Sequence, residues 1–187
     1  NAHGSLRPHP INAQYGAVVS CRSPEIIAAW QATGLPVVNV AASLSEVPFP
    51  SVLMDNRAIG RMAAEHFLER GYRHFAYAGM VSVWHGRERL AGFRDALEGR
   101  ARQLRVFPEG DGALESMLGP EGLPVIQRWL RELPWPCALF CGDDSLGIGL
   151  INILVEMGLE VPGQAAVLGV NNDEINCSFG PRPLSSI

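Results

Sequence analysis

Short apolar runs that read as strands alternate with helix-like segments along nearly the whole chain. This alternation limits the fold more than any single motif does. "YGAVVS" (15–20), "PVVNV" (36–40), "PSVLMD" (50–55), "RHFAYAG" (73–79), "LRVFP" (104–108), "CALFCG" (137–142) and "QAAVLGV" (164–170) all read as strands. Between them lie segments with helical spacing. "SPEIIAAWQAT" (23–33) opens with Ser23 as N-cap and Pro24 at the first helical position. "DNRAIGRMAAEHFLERG" places Ala58, Ile59, Met62, Ala63 and Phe67 on one face, with Asp55 to cap and Gly71 to terminate. "RERLAGFRDALEG" (87–99), "LPVIQRWLREL" (123–133) and "DSLGIGLINILVEMG" (144–158) complete the set. The last is apolar nearly all round and is expected to be deeply buried. Such alternation predicts an α/β fold, a doubly wound parallel sheet with helices on both faces.

Open parallel sheets bind ligands beyond the carboxyl ends of their strands. The residues that follow the strands are therefore the candidates. "RHFAYAG" leads to Ser82, Trp84 and His85; "CALFCG" leads to Asp143 and Asp144; "QAAVLGV" leads to Asn171, Asn172 and Asp173. These polar groups are expected to converge on one edge.

Composition removes several function classes. Apolar residues make up 47% and charged residues 18%, which suits a packed core and argues against disorder. The formal net charge is −4 and no run of basic residues occurs, so nothing in the linear sequence reads as a nucleic-acid face. Cys137 and Cys141 lie in one strand-like run, about 13 Å apart when extended, too far for a disulfide. With Cys21 and Cys177 they read as free thiols of a reducing, cytoplasmic compartment. No apolar run reaches the length of a membrane span. The hydrolase elbow, the phosphate-binding loop, the dinucleotide fingerprint and the zinc-protease motif do not occur. The five histidines lack metal-ligand spacing. No enzyme activity, metal or cofactor is expected.

Three segments together resemble a known family. "MDNRAIGRMAAEHFLERGYRHFAYAG" is similar to the lobe-crossover segment of the lactose-repressor/galactose-repressor sensor domain. "RERLAGFRDAL" is similar to its Arg-x-x-Gly-Phe helix, and "LFCGDDSLGIGLINILVEMGLEVPGQAAVLGVNNDE" to its Asp-Asp helix start and following strand. The order and spacing of the three carry the resemblance, from Tyr15 to Ile187. "VLGVNNDEINC" followed by "PLSSI" further resembles the sensor half of xylose-regulator-like proteins of the AraC class.

The resemblance implies a two-lobed, periplasmic-binding-protein-like fold. Residues 1–14 would be a loose segment, 15–54 part of a first lobe and 55–187 the second lobe. The chain is then expected to be a piece of a longer protein. A DNA-binding module would follow Ile187 in the AraC-class branch or precede Asn1 in the repressor branch. The function implied is sensing of a small sugar, such as xylose or another pentose, in an inter-lobe cleft by a homodimeric transcription regulator. The alternative is a solute-binding protein of a sugar transport system.

The same resemblance assigns roles residue by residue. Arg89 would grip sugar hydroxyls, where the residue alone reads as a surface arginine of an amphipathic helix. Asp143 would accept from hydroxyls or cap its helix, with Asp144 available for the capping. Asn171 stands where the family usually has Asp, exchanging a charged acceptor for an amide. Trp84 would pack on a sugar face or cover the lobe edge, with Ser82 beside it. Asp55 would cap its helix and mark the crossover hinge. Asn172 and Asp173 read as loop braces, His85 as a loop histidine and His66 as structural.

Overall fold

The computed structural model describes residues 15–107, 122–178 and 180–187. The expected loose segment 1–14, and Pro108 at the end of one expected strand, lie outside them. The chain divides into two compact units, Asn1–Met54 and Asp55–Ile187.

In the first unit, β1 (Ala17–Val19) pairs in parallel with β2 (Val37–Asn39), joined by α1 (Pro24–Gln31). Ser23 caps α1 by accepting from the Ile26 amide, and Pro24 takes the first helical position. Val19, Cys21 and Val37 form a small core with Ile26, Ile27 and Trp30. Buried Asn39 braces the following turn: its Oδ1 accepts from the amides of Cys21 and Ala41, each at 3.0 Å. The strand expected over 50–55 does not form. Ser51 makes a single bridge to Asn39, with the Asn39 amide donating to the Pro50 carbonyl at 2.8 Å and the Val52 amide to the Asn39 carbonyl at 2.9 Å, and the bridge is not extended into a strand because β2 ends there. Val52 and Met54 are accordingly 69% and 57% exposed.

The second unit is built on a five-stranded parallel sheet in the order β4-β3-β5-β6-β7. Its strands are β3 (His74–Ala78), β4 (Gln103–Phe107), β5 (Cys137–Cys141), β6 (Ala165–Gly169) and β7 (Ser185–Ser186). Its helices among the described residues are α2 (Asn56–Glu69), α3 (Trp84–Leu97), α4 (Leu123–Arg131), α5 (Asp144–Glu156) and α6 (Glu174–Ser178). Alternate residues of each central strand face opposite sides, as the strand period requires. Phe75, Tyr77, Ala138, Phe140, Ala166 and Leu168 pack under α2 and α3. Ala76, Ala78, Leu139, Cys141 and Val167 pack under α4 and α5. Both faces are thus covered, which explains why β3, β5 and β6 read as continuous apolar runs.

Phe93 centres the first of these cores, with ring centroids 5.1 Å from Phe140, 6.1 Å from Phe75 and 6.5 Å from Phe67. The helices above it approach more closely than side chains would allow. A β-carbon at Gly60 would lie 2.0 Å from the Arg89 carbonyl oxygen, and one at Gly92 would lie 2.0 Å from that of Arg57. Two details differ from expectation. Met62 is 50% exposed, because the buried stripe of α2 runs through Ile59, Gly60, Ala63, Ala64 and Phe67 instead. Helix α3 starts at Trp84 rather than Arg87, since the extended Val83 already provides the turn into it.

Candidate functional site

Because β3, β5 and β6 are adjacent and parallel, the turns that follow them share the carboxyl edge of the sheet. Ser82, Trp84, Asp143 and Asn171 all lie on these turns or at the helix starts they lead into. Gly79 and Gly142 let two of the turns approach: a β-carbon at Gly142 would stand 3.1 Å from the Gly79 α-carbon.

Arg89 projects from α3 and is only 4% exposed. Its Nε donates to Asn56 Oδ1 at 2.9 Å, and its Nη1 donates to the carbonyl of Gly142, the residue before Asp143. Burial lowers its pKa below the ordinary arginine value, with Tyr77, Asp143 and Asp144 acting in the opposite direction. A guanidinium carries five N–H donors. The remaining donors of Arg89 make no hydrogen bond among the described residues. The surface-arginine reading is therefore excluded by its burial. Asn56 at 2% exposure, which orients the guanidinium, was not among the expected site residues.

Asp143 is the N-cap of α5: its Oδ1 accepts from the Leu146 amide at 2.8 Å. The other carboxylate oxygen makes no bond among the described residues. Asp144 does not cap. It is 1% exposed and turned toward β6 and β7, where Oδ2 accepts from the Asp173 amide at 2.8 Å and Oδ1 from Ser186 Oγ at 2.7 Å. A β-carbon at Gly169 would lie 2.1 Å from Asp144 Oδ1, so the glycine makes room for this carboxylate.

Asn171 is exposed and has φ +107°, and Asn172 follows at φ +51°. Few non-glycine residues adopt positive φ, and asparagine is among those that tolerate it. The turn is held by the Asn171 amide donating to the Ile187 carbonyl and the Asn172 amide donating to Ser186 Oγ, each at 2.9 Å. Asp173 Oδ1 accepts from the Ile175 amide at 3.0 Å, so residues 172 and 173 do brace the loop.

Trp84 is half-buried in the first turn of α3, and Ser82 is exposed just before it. The Ser82 carbonyl accepts from Arg87 at 2.9 Å. Asp55 is exposed and caps α2 by accepting from the Ala58 amide at 2.9 Å. The second unit also begins at Asp55. Among the described residues, no group of three or more His, Cys, Asp or Glu side chains could hold a metal ion. Nor is any described helix long and apolar enough to cross a membrane.

The edge therefore offers an oriented cation with unused donors, a carboxylate oxygen, an amide in a strained turn and an aromatic ring. Comparisons with known proteins agree with this architecture. The HTH-type transcriptional repressor PurR of Actinobacillus pleuropneumoniae is 28% identical over 178 residues, covering 92% of this chain and 51% of that protein. The chain thus spans about half the length of the curated relatives it matches. The structure of the xylose-binding transcription activator xylR superposes with a TM-score of 0.77 at 21% identity, covering 92% of this chain and 47% of that one. A LacI family transcriptional regulator from Enterococcus faecium with bound ribose superposes at 0.72 and 22% identity, covering 91% and 63%. At these identities the superpositions establish a shared fold. The family described as periplasmic binding protein-like domain matches residues 64–187, and the chain belongs to that family.

Proposed function

We propose that the chain is the effector-sensing part of a transcription regulator, and that a small sugar binds at the carboxyl edge of the five-stranded sheet. Arg89 carries this reading. A guanidinium that is 4% exposed, fixed by Asn56 and Gly142, and still holding unused donors is costly unless a ligand takes them up. A neutral polyol suits the rest of the edge. Arg89 donates to its hydroxyls, the second oxygen of Asp143 accepts, and Asn171 does either. Trp84 covers an apolar C–H face, and Ser82 adds a hydroxyl at the rim.

The relatives support the regulatory side of the proposal, since the one named above is a transcriptional repressor and both structural neighbours are transcription regulators. One neighbour is described as xylose-binding and the other holds ribose, so a pentose is the first ligand to try. The AraC-class assignment gains no support, because the sequence relative is an HTH-type repressor; the repressor branch is carried forward. In this reading the full protein is a cytoplasmic homodimer that contacts DNA through a module outside this chain. Asp55 marks the hinge between a partial first lobe and the second. Bound sugar favours one of two conformations by its differential affinity, and that preference reaches the DNA-binding module.

The test is thermal melting of the chain against a panel of pentoses and hexoses, followed by calorimetry. One sugar should raise the melting temperature with concentration. Its affinity should fall about 100-fold in Arg89→Lys, which keeps the charge but loses the fork. If no sugar moves the transition, the proposal fails. A solute-binding protein of sugar transport shares the family description and the same ligand chemistry. A sugar-dependent change in DNA affinity of the full-length protein separates the two.

A further inference from the structure

The opposite, amino edge of the same sheet gathers arginines that lie far apart in the sequence. Arg73 precedes β3, Arg102 precedes β4, and Arg70 is the C-cap of α2. The Arg102 amide donates to the Arg73 carbonyl at 2.8 Å, which holds these two residues side by side. All three line one open groove of about 530 Å³, together with His74, Tyr72 and Trp135. Among the described residues no carboxylate lines it. Among the described residues none of the three guanidinium groups makes an ion pair, whereas Arg57 pairs with both Asp95 and Glu88. Glu160 stands next to Gly163 at its rim.

Like charges held together without ion-pair partners repel one another, even in a chain of net charge −4. The fold does not need them there, because all three side chains are exposed. Nor does it gain from His74, whose Nδ1 is sealed from solvent with no hydrogen-bond partner among the described residues. The groove is also partly set in advance. Arg70 donates to the His66 carbonyl and Arg73 to that of Tyr72, both at 2.9 Å. Tyr72 is pinned by its hydroxyl, which donates to the Pro162 carbonyl at 3.2 Å, and by edge contact with Phe67 at 5.9 Å.

We propose that this groove is a second ligand site that binds a phosphate ester, gripped through its phosphate by Arg70, Arg73 and Arg102. Guanidinium forks match the oxygens of a phosphate, and its double charge answers several of them at once. The volume falls in the range of small-molecule sites, roughly 300–1,000 Å³. A nucleic-acid strand would instead need a basic track extending beyond the groove. The rings of Tyr72 and Trp135 give the organic part of the ester an apolar surface. The site is independent of the sugar-binding reading, since the two lie at opposite ends of the strands.

The experiment is isothermal titration calorimetry of the full chain at low ionic strength with ribose 5-phosphate and AMP, using ribose and adenosine as controls. Saturable one-to-one binding is expected for the phosphorylated probes and not for the controls. Arg73→Gln and Arg102→Gln should each weaken it at least tenfold, and Arg182→Gln, away from the groove, less than twofold. All are exposed positions, so circular dichroism should show every variant folded. AMP binding at least fivefold tighter than ribose 5-phosphate identifies a nucleoside phosphate; equal affinity identifies a sugar phosphate. Absence of binding by both phosphorylated probes, or binding unchanged in the groove variants, overturns the proposal. So does a DNA duplex that outcompetes both probes and is lost in the same variants, which would make the groove a nucleic-acid contact.

Discussion

At the carboxyl edge of the five-stranded sheet, Asp144, Asn56 and Arg89 are each at most 4% exposed and are tied to neighbouring turns by hydrogen bonds. At the amino edge, Arg70, Arg73 and Arg102 are exposed, and the side-chain bonds of Arg70 and Arg73 go to carbonyls within a few residues. The same strands thus end in two kinds of polar surface. One is part of the folded core, and its groups hold the turns in place. The other rests on the fold and contributes little to it. Charge alone does not distinguish them; desolvation and the number of long-range hydrogen bonds do.

Removing groups at each edge tests this contrast. Asp144→Ala strips the Asp173 amide and Ser186 Oγ of their partner and should lower unfolding free energy by about 2–4 kcal/mol in urea titration. A loss below about 1 kcal/mol would erase the contrast.

Strand β5 joins the edges and ends in two buried thiols, Cys137 and Cys141. Burial pushes Cys137 up to about 12 and raises Cys141 as well. The native thiols keep their protons where unfolded thiols, with pKa about 8.5, lose them. Stability is therefore full below that value and falls as pH rises through the interval toward the native pKa. The slope should be about 1.4 kcal/mol per pH unit for each thiol. All 15 basic residues are arginines, so no lysine titration obscures the effect. Buried Tyr77, also raised, adds a change of the same sign above about pH 10. Urea midpoints that stay constant between pH 8 and 10.5 would contradict this; Cys137→Ala should flatten the slope.

Asp143→Ala removes one capping bond and should cost about 1 kcal/mol, less than Asp144→Ala although the residues are adjacent. Arg73→Gln and Arg102→Gln should change stability by no more than about 0.5 kcal/mol in the same titration. Larger losses would show that the amino edge also belongs to the folded core.

Strand identity in the second unit was legible because burial on both faces leaves a continuous apolar run, as in "CALFC". Convergence of Trp84, Asp143 and Asn171 on one edge was legible because parallel connection order determines which ends meet, whereas Arg89 was pointed to only by the family resemblance. Reading failed where a partner decides the outcome. Residues 50–55 have strand-like composition, but β2 stops at Asn39, so their pairing stays a single bridge at Ser51. The choice between Asp143 and Asp144 as cap depended on Ser186, which is 42 positions away from Asp144. The arginine groove was hidden for a similar reason. Its members come from separate connections, and a net charge of −4 averages them away.

The crossing of α2 and α3 at Gly60 and Gly92 has an evolutionary consequence. Arg89 carries its side chain toward the carboxyl edge and its carbonyl against Gly60, so the helix that presents the candidate site is fused to its neighbour backbone against backbone. Any side chain added at either glycine would push the two helices apart and displace the guanidinium with them. A saturation library should find positions 60 and 92 closed to substitution while the exposed position 82, in the turn before α3, accepts many residues. Lineages of such a chain can change what they recognise by altering the turns, but they inherit the pair of helices as one piece.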